Sequence, residues 1–225
     1  MEQVIGVGAA VSGDMLSRPN YGLDELDFVF STLIVGSLMN FALMYLLAPT
    51  VGAGPSNPIM KFVTGETLAK MSAPTGHMFE KGSFSLLQRA TTFVYKSVQF
   101  GVIGFLAGIT GTLCSNGLIA VRQKSDPNFV LQNELPETIP NAGCWALHMA
   151  ISSNVRYQTV NGIDMVVFPL MNRGVFKAYS TAIRLGNNVL GGMSFATIAR
   201  LCGVQGQKSA PKECCSGKGK GKGKK

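Results

Sequence analysis

The side chains able to do chemistry are few and scattered. The two histidines, His77 and His148, stand far apart, and neither belongs to an HExxH pair. Five cysteines, Cys114, Cys144, Cys202, Cys214 and Cys215, make no CxxC motif. Their spacing draws neither a tetrahedral metal site nor a disulfide framework. Cys114, Cys144 and Cys202 sit in apolar stretches, where a thiol behaves as a small hydrophobe. There is no GxSxG elbow, GxGxxG turn or phosphate-loop pattern, and Gly6-Val7-Gly8-Ala9-Ala10 is too short to make one. The expectation is a protein that is not an enzyme and holds neither metal nor cofactor.

More informative are polar groups set among apolar neighbours, because a hydrocarbon-like environment leaves them without partners. Asp164 can bind an ammonium or guanidinium group through charge-assisted hydrogen bonds; its rival roles are a helix N-cap or an ion pair with Arg184 or Arg156. Arg156 can grip an anion or a carboxylate in its fork, or sit at an interface and snorkel. It belongs to a polar cluster with Asn154, Tyr157 and Asn161. Asn187 and Asn188 precede Gly191-Gly192, and a helix interrupted there can offer backbone groups to a ligand; a break packed between neighbours is the alternative. Asn40, in the middle of an apolar run, suits an interhelical hydrogen bond.

The elements that must hold these groups read as helices. Asp24, Glu25 and Asp27 precede FVFSTLIVGSLMNFALMYLL, residues 28–47, which is long enough to cross a hydrocarbon core of about 30 Å. Pro49 and Gly52-Ala53-Gly54-Pro55 close it. A second charge-free window, residues 97–121, lies between Lys96 and Arg122. There Gly104, Gly108 and Gly111 place small residues on one helical face, which allows close helix packing. Two shorter apolar segments, 141–153 and 185–198, and the stretch 160–180 between them complete the pattern. The expectation is an all-α, multi-pass membrane protein with two clear transmembrane helices and about four membrane helices in all.

The charge of the chain is concentrated at its end. The formal net charge is +8 over 225 residues, with charged residues only 14% of the chain. Seven lysines and one glutamate fall within 208–225, so residues 1–207 carry only +2. That leaves no basic face for nucleic acid. The Gly/Lys-rich stretch 207–225 is too low in complexity to bury a core and is expected to be solvated and disordered. Met1 to Gly22 shows no secretory or transit-peptide pattern. The expected division is a flank over 1–19, a membrane domain over 20–206 and the tail.

Five stretches carry a resemblance to a known family: NYGLDELDFVFSTLIVGSLMNFALMYLLAPT, GHMFEKGSFSLLQRATTFVYKSVQFGVIGFLAG, SNGLIAVRQKSDPNF, HMAISSNVRYQTVNGID and RLGNNVLGGMSFATIARLCG. The chain resembles the RETICULATA-related family of plastid proteins from about Asn20 to Gly206. That resemblance implies a multi-pass protein of the chloroplast envelope, most naturally its inner membrane, linked to chloroplast and leaf development and to transport of small metabolites, basic amino acids among them. On that reading Asp164 takes the cationic end of the substrate, and Arg156 or the Asn187-Asn188 break takes the carboxylate. The alternative is a non-transporting envelope scaffold acting through partners. Either way the implied surroundings are the lipid bilayer and a homo-oligomer or other membrane proteins. Family members usually carry a transit peptide and a variable segment ahead of this region, whereas here it begins almost at Met1; the Gly/Lys tail also departs from the pattern.

Overall fold

The computed structural model describes residues 2–47, 65–126, 128–129, 131 and 133–205, and the side chains of 2, 3 and 42–47 are left aside. The Gly/Lys tail and the stretch 48–64, with Pro49 and Gly52-Ala53-Gly54-Pro55, lie outside the described residues. Helix α1 spans Glu2–Leu16 and leads through a 3-10 segment, Pro19–Glu25, into α2, Leu26–Leu47. A short α3, Glu66–Lys70, precedes the long α4, Leu86–Ser125. Helix α5, Thr138–His148, continues through a π-helical turn, Met149–Ser153, into α6, Asn154–Val167. After a 3-10 turn at Phe168–Leu170, α7 runs from Arg173 to Leu201.

Local signals explain the helix starts. Ser85 accepts from the Gln88 amide while the Gln88 side chain accepts from the Ser85 amide, a reciprocal cap that starts α4. Asn172 caps α7 by accepting from the Val175 amide at 2.9 Å. Asn20, Tyr21 and Gly22 all take left-handed backbone angles, and Gly22 has φ +75° where an added Cβ would lie 3.0 Å from Val29 Cγ2. This turn reverses the chain between α1 and α2.

The core is built where α2, α4, α5 and α7 meet. Val35, Met39, Phe100, Ile103, Ala107, Cys144, Trp145, Met149, Phe195 and Ala199 form one buried cluster. Trp145 stacks on Phe195 with ring centroids 3.8 Å apart. Glycines bring these helices together. A Cβ at Gly104 would meet Met149 Cγ at 2.8 Å, one at Gly108 would meet Ala142 Cα at 2.8 Å, and one at Gly111 would meet Val35 Cα at 2.7 Å. The tightest crossing is α1 on α7: Cβ atoms at Gly13 and Gly192 would lie 1.9 Å from the Val189 carbonyl oxygen and 1.8 Å from that of Ala10. The N-terminal flank is thus a helix packed along the last one.

The expectation of two to four membrane-crossing helices is corrected. The described residues are all-helical with no strand, but a single helix among them, α4, is long and apolar enough to cross a membrane. The reason is how the remaining helices use their polar residues. Helices α5 and α6 are short, at 11 and 14 residues, and α7 carries Arg173, Lys177, Arg184 and Arg200. Buried positions of α5 and α6 include the polar Asn141, His148, Asn154 and Gln158, and α2 buries Asp27, Ser31 and Thr32, whereas those of α7 are small or apolar. Lys96, which bounds the charge-free window in the sequence, is itself buried and donates to Gln99 at 3.1 Å.

A second polar centre ties the two ends of the described chain together. The buried Arg18 guanidinium donates to Asp14 at 2.8 and 2.9 Å, to Glu25 at 2.7 Å and to the Gln205 side chain at 2.6 Å. Arg200 adds contacts to the Ser17 carbonyl and to Glu25. Two guanidinium groups and two carboxylates balance there, which is the condition for burying charge at tolerable cost.

Candidate ligand cavity

A cavity of about 310 Å³ lies between α1, α2, the Met149–Ser153 turn, α6 and α7. That size is at the lower end of the roughly 300–1,000 Å³ typical of small-molecule sites. One wall comes from α1 (Gly6, Val7, Ala10, Val11) and another from α2 (Thr32, Gly36, Met39, Asn40). Trp145, His148, Met149, Ser153, Arg156, Tyr157, Val160 and Asn161 line it from the α5–α6 segment, and Arg184, Asn187, Asn188 and Phe195 from α7.

Arg156 is the chemical centre of this cavity. Its Nη1 donates to the hydroxyls of Ser152 and Ser194, and Nη2 donates to Ser153 at 3.0 Å. Among the described residues no carboxylate lies within ion-pair distance of it. Its Nε is buried without a hydrogen-bond partner. Ser153 and Ser152 stand three and four residues before Arg156, the spacing that puts side chains on one helical face, and both belong to the π-helical turn. A π turn adds a residue to the helical repeat and re-aims the side chains that follow, and such turns occur often at functional sites. Gly191 makes room on the opposite wall: a Cβ there would sit 3.2 Å from Arg156 Nη2.

His148 is buried beside this group, edge-on to Trp145 and Phe195 with centroids 6.0 and 5.6 Å away. Its Nε2 faces the Ser153 hydroxyl at 3.3 Å, and its Nδ1 has no partner. Burial, helped by the nearby Arg156 charge, pushes the imidazole down to about 3. It is therefore neutral at physiological pH. The Thr32 hydroxyl, from α2, is likewise buried without a partner. Among the described residues, no aspartate or glutamate lines the cavity.

The structure separates the residues singled out in the sequence into two groups. Arg156, Asn187, Asn188 and Asn40 line the cavity together. Asn154 does not. Fully buried, it donates to the Phe93 carbonyl at 3.1 Å and to Ser97 at 2.7 Å, and it accepts from Gln158, clamping α6 to α4. Asp164 lies outside the lining and accepts from Arg184 Nη2 at 2.9 Å. Gly104, Gly108 and Gly111 pack against other helices of the same chain. His148, Thr32 and Trp145 were not part of that selection; the spacing His148, Ser152, Arg156 is the signal that links the first of them to the site. No group of three or more histidine, cysteine, aspartate or glutamate side chains converges among the described residues to hold a metal ion.

With this geometry in hand, comparison with known proteins locates the chain. A family model described as Protein RETICULATA-related matches residues 1–163. Protein RETICULATA-RELATED 2, chloroplastic, of Arabidopsis thaliana is 51% identical over 206 residues, covering 91% of this chain and 59% of that protein. Protein RETICULATA-RELATED 3, chloroplastic, of the same organism is 48% identical, with 91% and 59% covered. Protein RETICULATA, chloroplastic, is 33% identical, with 91% and 49% covered. The chain thus spans about three-fifths or less of the length of these curated relatives. Their chloroplastic naming supports a plastid location. No solved structure matches.

Proposed function

We propose that this chain, which belongs to the RETICULATA-related family, binds a small metabolite in the cavity around Arg156 and carries it at the plastid envelope. The observation that supports this most is the set of unpartnered buried polar atoms on one cavity: Arg156 Nε, His148 Nδ1 and Thr32 Oγ1. Each costs about 1–3 kcal/mol while unsatisfied, and a guanidinium without a counter-charge costs more. A bound ligand that accepts hydrogen bonds would repay all three.

A seat in a membrane, which this reading takes to be the inner envelope membrane, is supported by α4 only as far as the membrane itself. Val94, Val98, Val102, Leu106, Leu113 and Val121 are exposed along its outer side. This apolar row offers lipid a continuous surface, with Arg122 and Lys124 at its end. A role in plastid and leaf development then follows from metabolite supply. A basic amino acid is less well matched than the family resemblance implies, because Asp164 lies outside the cavity lining and its Oδ2 is engaged by Arg184.

Reconstitution of the purified chain in liposomes tests the proposal. Uptake of a panel of labelled acidic, neutral and basic metabolites should be saturable for at least one of them and fall at least ten-fold in Arg156→Gln. Folded, inserted protein that takes up none of them would end the transport reading.

A further inference from the structure

The charges on the cavity wall can be counted. Arg184 is neutralised by Asp164 at 2.9 Å, His148 is neutral, and no carboxylate among the described residues lines the wall. Arg156 is left as one uncompensated positive charge, already held in place by three serine hydroxyls. The groups without partners are donors or can act as donors: the Arg156 Nε–H, the Thr32 hydroxyl and His148 Nδ1 in its protonated tautomer. Asn187 and Asn188 supply further donors from α7. Around them Val7, Val11, Met39 and Val160 are apolar.

Resting on the reading of this cavity as a metabolite site, we propose that its ligand is a small monocarboxylate with an apolar body and no cationic group. A carboxylate is planar and accepts only, so it matches the edge of a guanidinium and the neighbouring hydroxyl. Its single negative charge equals the one charge left open. A phosphate monoester carries about −1.5 to −2 near neutral pH and would leave charge uncompensated. A lysine or arginine ligand would bring a second cation beside Arg156 with no carboxylate to receive it. The body of the acid packs on the valine and methionine side chains. The preference is therefore for acids over bases, the reverse of the amino-acid class implied by the family resemblance.

Calorimetric titration of the full chain in detergent micelles tests this, with 2-oxoisovalerate, valine, lysine and inorganic phosphate as probes. The oxo acid is expected to bind at least ten-fold more tightly than the other three. Arg156→Gln should weaken it at least ten-fold. Because Arg156 also joins α6 to α7, a second variant, Asn187→Asp, adds a negative charge to the wall without removing that link; it should weaken the oxo acid similarly and improve lysine. Valine, lysine or phosphate binding as tightly as the oxo acid, or an oxo-acid affinity unmoved by Asn187→Asp, overturns the assignment while leaving a metabolite site standing. Folded protein that binds none of the four, nor any metabolite of the liposome panel, overturns both.

Discussion

His148 shows how much a single side chain can report about its surroundings. Its folded-state value of about 3 lies below the ordinary 6.5. Between those values the unfolded chain binds more protons than the folded one, so stability is full above about 6.5 and is lost as pH falls toward 3. The predicted loss between pH 7.5 and pH 5.0 is about 2 kcal/mol. Denaturant titration at the two pH values should show it in the native chain and not in His148→Gln. Parallel pH dependence in the two would mean that His148 is solvated. The sequence marks Arg156, Asn187 and Asn188 because polar residues are conspicuous among apolar ones. It does not distinguish them from Asn154, which has the same setting in the chain but is consumed by the Phe93 carbonyl and Ser97. Asp164 is legible as a carboxylate with several candidate partners; that Arg184 takes it depends on how α6 and α7 pack.

At the scale of helices, glycine carries the packing. Gly13 and Gly192 bring the backbones of α1 and α7 into contact, whereas Gly117 of α4 and Gly186 of α7 face open space. Gly192→Ala forces apart two helix backbones rather than a flexible side chain, and should cost about 3 kcal/mol or more, at or above the upper end of ordinary overpacking. Gly186→Ala instead gains helix propensity, up to about 1 kcal/mol. Thermal unfolding should move in opposite directions for the two. A similar small shift in both would contradict the α1–α7 crossing. The small-residue face of Gly104, Gly108 and Gly111 can be read from its spacing, but spacing alone does not say whether its partner is another chain or the same one. Here Met149, Ala142 and Val35 of the same chain fill it. The membrane reading overreaches for a related reason: hydropathy marks an apolar run without saying what covers it, and α5 and α7 cover much of theirs with each other and with α4.

Across the whole molecule, the first helix and the last close the fold. The Arg18 centre joins Asp14, Glu25 and Gln205, drawing residues from both ends of the described chain. Removing Arg18 leaves the buried Asp14 without its ion-pair partner and Glu25 with Arg200 at 3.4 Å, so Arg18→Ala should cost about 3–5 kcal/mol and loosen α1 from α7, and with it one wall of the cavity. Hydrogen exchange of α1 amides should rise in that variant; unchanged protection would show that the ion cluster does not hold the helix. Nothing in the sequence of residues 1–19 announces this role, because Arg18 meets Glu25 and Gln205, and Arg200 meets Ser17 and Glu25, only once the chain has folded back.

The central claim is that the cavity beside Trp145 admits a small metabolite, and the chain carries its own reporter. Trp145 is the sole tryptophan and lines that cavity next to His148. Titrating the full chain with 2-oxoisovalerate and following tryptophan emission should give a saturable change in intensity, at least ten-fold shifted to higher concentration in Arg156→Gln. An emission unaltered by the oxo acid and by every metabolite of the uptake panel, from protein with native helix content, would contradict the claim.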